Sequence, residues 1–185
     1  MALILAGGRA TRFGADKAFA MLHGQPLVAH LIACLRPQLS QIAISANGEP
    51  SRFSAYQLPV LADTLPERGP LAGIAAGLGW AQAQGAAWML SVPVDTPLIP
   101  ATLLADLSPG PSVAVHAGRQ HHLVALWPVS CLPALNDLND APGDHRVRDA
   151  LALCHARPVT FIAANDPFLN INTPDDLDRA AAGLR

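Results

Sequence analysis

The first eight residues, MALILAGG, constrain this chain most. Met1–Leu5 is apolar without alternation, the pattern of a short strand covered on both faces of a parallel sheet. Gly7 and Gly8 follow at once, so the strand must end in a turn with a bare backbone. The same signature returns. QIAISA at 41–46 ends in Asn47–Gly48, Leu58–Ala62 ends in Asp63, and Ala86–Val92 ends in PVDTP.

Helical segments lie between these strands. Apolar residues recur on one side from Lys17 to Leu35, with an interruption at His23–Gly24–Gln25–Pro26 and a fresh helix start at Pro26. Pro70–Gln84 and Ala101–Leu107 read as helices, and Ser112–His116 with Leu123–Trp127 as two strands around a Gly118–Arg119 turn. Pro128–Leu138 and Val147–His155 read as helices and Val159–Ala163 as a last strand. Thr173–Gly183 closes the chain, with Thr173 as N-cap, Pro174 at the first position and Asp175 and Asp176 at the positive end of the dipole. Strands alternating with helices give a single α/β domain of 185 residues with a mostly parallel sheet and right-handed crossovers.

Composition narrows the function. Charged residues make up only 14% and the net charge is -2, with no basic run, so nucleic acid is not an expected partner. No apolar run reaches membrane-spanning length, and MALILAGG lacks the basic start of a signal peptide, so a cytoplasmic protein with no membrane partner is expected. Cys34, Cys131 and Cys154 show neither metal-ligand nor redox spacing and read as incidental thiols. His121–His122 is a pair without a third ligand at useful spacing.

In an open α/β sheet, ligands bind beyond the carboxyl ends of the strands. The residues there are the candidates. Gly7 and Gly8 can present N–H groups to a phosphate, with Arg12 and Lys17 neutralising its oxygens; they can equally form an ordinary strand-to-helix turn. The spacing from Gly8 to Gly14 matches neither the dinucleotide fingerprint nor the Walker loop. Asp95, flanked by prolines, suits one ligand of a phosphate-bridging Mg²⁺, or a helix cap. GPLAG at 69–73 makes either a base-pocket wall or a close-packed helix start. Asp63 can accept the N1–H and amine of guanine, or face solvent. Asn170 and Asn172 in NINTP can complete a polar site or cap a turn.

Taken together, LAGG…R…RFGADK, SANG, VLADT, GPLAG, PVDTP and NINTPDDL resemble the molybdenum cofactor guanylyltransferases of MobA type, from residue 3 to about 178. The resemblance implies a Rossmann-like three-layer sandwich, with a nucleotide-binding half at about 1–108 and a pterin-side half at about 109–185. It implies transfer of GMP from GTP to the molybdenum–molybdopterin cofactor, with release of pyrophosphate and Mg²⁺ as cofactor. Residues carried over by motif are Leu5, Ala6, Gly7, Gly8, Lys17, Asn47, Asp63, Gly69, Leu71, Gly73 and Asp95 for the nucleotide. Lys17, Arg12 and Asp95 are carried over for catalysis, Asp95 for the metal, and Asn170 and Asn172 for the second substrate. Arg12 fits the motif better than Arg9. A monomer is expected, with other molybdenum cofactor biosynthesis proteins and acceptor molybdoenzymes as partners.

Three rivals stand beside this reading. They are a cytidylyltransferase on the same pterin, a nucleotidyltransferase for another phosphorylated small molecule, and a non-catalytic nucleotide or cofactor carrier. LAGG, where cytidylyl relatives tend to carry LAAG, favours guanine; Lys17 and Asp95 favour catalysis.

Overall fold

A computed structural model describes residues 1–7, 16–62 and 69–183. The central sheet has seven strands in the order β5-β4-β1-β6-β8-β7-β9. These are β1 (Ala2–Leu5), β4 (Ile42–Ser45), β5 (Val60–Leu61), β6 (Trp88–Pro93), β7 (Ser112–His116), β8 (Arg119–Pro128) and β9 (Arg157–Thr160). Only β8 runs antiparallel to its neighbours. The remaining neighbours pair in parallel, as the unalternated apolar runs predict.

The chain adds β4 and β5 on one side of β1, then returns to place β6 on the other. That reversal is the topological switch point, where a crevice opens beyond the strand ends. Register brings the two sides together: Leu5 stands beside Ser45 on one flank and Pro93 on the other. The Val94 N–H donates to the Leu5 carbonyl at 2.9 Å, which continues the pairing into the site.

Period-2 alternation sorts the core into two layers. Ala2, Ile4, Ile42, Ile44, Leu90 and Val92 face α1 (Leu27–Leu35) and α3 (Leu103–Leu107). Leu3, Leu5, Ala43 and Met89 face α2 (Pro70–Ala83), α4 (Leu132–Asp140) and α5 (Val147–Leu153). A third cluster of Leu22, Leu27, Ile171 and Ala180 ties the start of α1 to α6 (Pro174–Gly183).

Four expectations need correction. Lys17–Leu35 is not one interrupted helix: Lys17–Phe19 makes a single 3₁₀ turn, followed by a hairpin of β2 (Met21–Leu22) and β3 (Gln25–Pro26). Its turn residues His23 and Gly24 have φ of 46° and 75°, left-handed values no helix accepts. Pro26 is the N-cap of α1 and not its first residue. The last strand lies earlier than Val159–Ala163. Its partner β7 ends at His116, so pairing stops once the Phe161 N–H has reached Val115, and Ile162 is left 98% exposed. The β7–β8 turn centres on Ala117 and Gly118, which lets β8 begin at Arg119. The 3₁₀ segment Pro50–Tyr56 carried no clear sequence signal. Among the described residues no helix is long and apolar enough to cross a membrane.

Candidate active site

The switch point gathers side chains from three distant segments. Lys17 enters from the 3₁₀ turn after the first loop, and Asp95 from the turn after β6. Lys17 Nζ donates to Asp95 Oδ2 at 2.8 Å and to Asn172 Oδ1 at 2.6 Å. Asn170 joins through Thr96, whose Oγ1 lies 3.0 Å from Asn170 Oδ1 and 3.4 Å from Asp95 Oδ1. The Ile171 N–H donates to the Asp95 carbonyl at 2.8 Å, so residues 170–172 are laced directly onto the Asp95 turn.

Each partner is held from behind. Asp16 caps the Lys17 turn by accepting from the Ala18 N–H at 3.1 Å. Its other oxygen pairs with Arg52, which also donates to the Asn47 carbonyl at 2.9 Å. Arg52 lies over the Phe53 ring, which stacks on Phe19 with centroids 5.2 Å apart. On the far side, Asp176 Oδ2 accepts from the backbone of Asn172 and Thr173, and Thr173 Oγ1 accepts from the Asp176 N–H. This is a capping box at the start of α6. Those hydrogen bonds, Asn172 first, with the Arg179 ion pair, pull the Asp176 carboxyl down to about 2.

Of the candidate residues, the structure brings together Lys17, Asp95, Asn170 and Asn172. Leu5, Ala6 and Gly7 lie at the end of β1, where the Ala6 N–H is committed to Ser45 and Gly7 is exposed. Asn47 lies beyond the end of β4 on the same edge. Gly69 caps α2 at φ 58°, a left-handed value suited to glycine. Leu71 and Gly73 are buried in the first turns of α2, so Leu71 offers its backbone and not its side chain. Gly8, Arg9, Arg12, Gly14 and Asp63 lie outside the described residues.

Sequence reasoning missed Asp16, Arg52 and Thr96 and gave Asp176 only a dipole role. The T-x-x-D spacing from Thr173 to Asp176 was the available signal for the capping box; Arg52 carried none.

The cysteines differ from their sequence reading in one respect. Cys131 and Cys154, distant in sequence, meet in one cluster on the α4–α5 face, and burial, with Cys131 beside it, pushes the Cys154 thiol up.

The acceptors on Lys17 are a carboxylate and one amide oxygen, the hard donors that suit Mg²⁺ and not a soft metal. A positive group already sits among them, so the donor set fits a cation. Among the described residues no group of three or more His, Cys, Asp or Glu is arranged to hold a metal unaided.

Residues 2–160 match the MobA-like NTP transferase domain model. The chain belongs to that family. It is 48% identical to a molybdenum cofactor guanylyltransferase of Acidiphilium cryptum, over 98% of this chain and 94% of that one. It is 45% identical to one of Rhodobacter capsulatus, over 99% and 95%. The crystal structure of a molybdopterin-guanine dinucleotide biosynthesis protein A from Archaeoglobus fulgidus superposes with a TM-score of 0.75. It covers 99% of this chain and 97% of its own at 23% identity, and so attests the fold alone. The Rossmann-like, mostly parallel architecture belongs to a nucleotidyltransferase. The Asn170–Asp176 segment lies beyond the family model, yet the curated relatives align across it.

Proposed function

We propose that this chain transfers GMP from GTP to the molybdenum–molybdopterin cofactor, giving the guanine dinucleotide form and pyrophosphate. The observation that carries the reading is the meeting of Lys17 and Asp95 at 2.8 Å across the switch point, with Asn172 beside them. The acceptor's terminal phosphate attacks the α-phosphorus in line. One P–O bond forms, the bond to the bridging oxygen breaks, and pyrophosphate leaves with the electron pair. The nucleophile is already an anion, so no general base is required.

The protein's task is to position two polyanions and offset their repulsion. Lys17, with Arg12, holds the triphosphate. Leu5, Ala6, Gly7, Gly8, Asn47 and the start of α2 frame the nucleotide, and Asp63 reads the guanine edge. Asn170 and Asn172 face the acceptor from the 109–185 half. Asp95 would hold Mg²⁺, which when bound offsets phosphate charge.

The test offers each NTP with Mg²⁺, with and without molybdopterin, and follows pyrophosphate. Release only with GTP plus molybdopterin supports the reading. Release with CTP moves the base assignment to cytosine, and binding without release identifies a carrier. Asp95→Ala is expected to abolish turnover with the fold intact; near-normal turnover at saturating Mg²⁺ removes Asp95 from the site.

A further inference from the structure

The Lys17 ammonium sits directly on the carboxylate of Asp95, the candidate cation ligand. Two oxygens converge on it, from Asp95 at 2.8 Å and Asn172 at 2.6 Å. The Lys17 and Asp95 side chains are only 19% and 21% exposed, so water screens this pair less than a surface pair. Asp95 brings a single carboxylate, with no group of three metal-ligating side chains among the described residues. A divalent cation arriving alone meets a carboxylate already neutralised at contact distance, with a like charge seated on it. Mg²⁺ loses water reluctantly and is commonly held by one or two carboxylates plus substrate phosphates. A triphosphate changes both terms: it offers the ammonium a denser negative partner, and it brings the missing oxygens.

We propose that Lys17 is a tethered place-holder for the divalent cation in the free protein. The cation reaches Asp95 only together with a nucleoside triphosphate, whose phosphates draw Lys17 away. The proposal rests on the guanylyl-transfer reading and adds a binding order to it. Lys17 thus has two positions: on Asp95 and Asn172 before the nucleotide binds, and on phosphate afterwards. Linkage makes the coupling reciprocal, so cation and nucleotide each tighten the other.

Mn²⁺ is the probe, titrated onto the full chain without nucleotide and followed by the electron paramagnetic resonance of the free ion. Wild type is expected to bind no better than Asp95→Asn. Lys17→Met is expected to gain a site about tenfold tighter or more, which the Lys17→Met/Asp95→Asn double variant loses. Lys17→Gln gives the same readout should Lys17→Met fail to fold. Lys17→Arg, which keeps the charge, should behave as wild type. Equilibrium dialysis of GTP onto wild type, with and without Mn²⁺, separates the two levels. No GTP binding in either condition removes the guanylyl reading on which the proposal stands. GTP binding together with equal Mn²⁺ affinity in wild type and Lys17→Met overturns the place-holder alone.

Discussion

Asp176 Oδ2 accepts the Asn172 N–H at 2.9 Å, so a carboxylate remote from the reacting atoms sets where the amide facing Lys17 stands. The same oxygen accepts from the Thr173 N–H and hydroxyl, both at 2.9 Å. Asp176→Ala removes all three acceptor contacts. Loss of a helix-start partner of this kind costs about 0.5–2 kcal/mol, measurable in urea melts. Displacement of Asn172 should lower turnover by about 10- to 100-fold. Unchanged turnover would mean that Asn172 keeps its place without the capping box.

The same carboxylate gives an acid limit. Its folded pKa, about 2, lies below the ordinary 3.8, because the native state hydrogen-bonds the charged form. The stability it contributes is therefore complete above about pH 4 and is lost as pH falls through about pH 2. Wild type should show a steeper decline across this window than Asp176→Asn, read as urea midpoints at successive pH values. Parallel profiles would remove Asp176 as the source.

Two glycines in α2 should respond in opposite directions to the same change. A Cβ at Gly79 meets nothing within 4 Å, so Gly79→Ala should stabilise by up to about 1 kcal/mol through helix propensity. A Cβ at Gly77 would lie 2.4 Å from Leu3 Cδ2 and 2.8 Å from Met89 Sδ. Both neighbours are fully buried, so neither has room to yield. Overpacking of about 1–3 kcal/mol should outweigh the propensity gain there. Thermal melts of the two variants check this; a stabilised Gly77→Ala would show that α2 can lift from the sheet.

The sheet was legible because buried parallel strands have a signature that depends on few neighbours. Met1–Leu5, QIAISA and Ala86–Val92 each carry an unbroken apolar run closed by turn residues. The site was legible where it follows strand ends, as at Asp95, or stands beside a cap, as at Asn172. What escaped depends on contacts across the chain. Asp16 and Arg52 meet beside the stacked rings of Phe19 and Phe53, and no local spacing encodes that. The hairpin at 21–26 escaped because apolar spacing continued through it. The left-handed turn at His23–Gly24 overrode that periodicity. The end of β9 is set by where β7 stops and not by the residues of β9, so an apolar FIA sequence was read as strand too far.

His121 presents the last case. Its ring packs against Phe168 with centroids 4.8 Å apart, and its Nε2 is buried with no hydrogen-bond partner. Phe168 is itself held edge-on by Phe161 and leads directly into Asn170, so this imidazole lies under the segment that supplies both asparagines. Burial lowers the His121 pKa; Asp166 opposes the shift, while Arg119, His116 and His122 reinforce it. The unfolded chain therefore takes up a proton near pH 6.5 before the folded one does. Stability is complete above that value and falls as pH drops below it, by at most about 1.4 kcal/mol per pH unit for one proton. His121→Phe keeps an aromatic ring against Phe168 and removes both the orphaned nitrogen and the proton uptake. Its urea midpoint should change less between pH 7 and pH 5 than that of wild type. An identical change in both proteins would assign the acid sensitivity to another group.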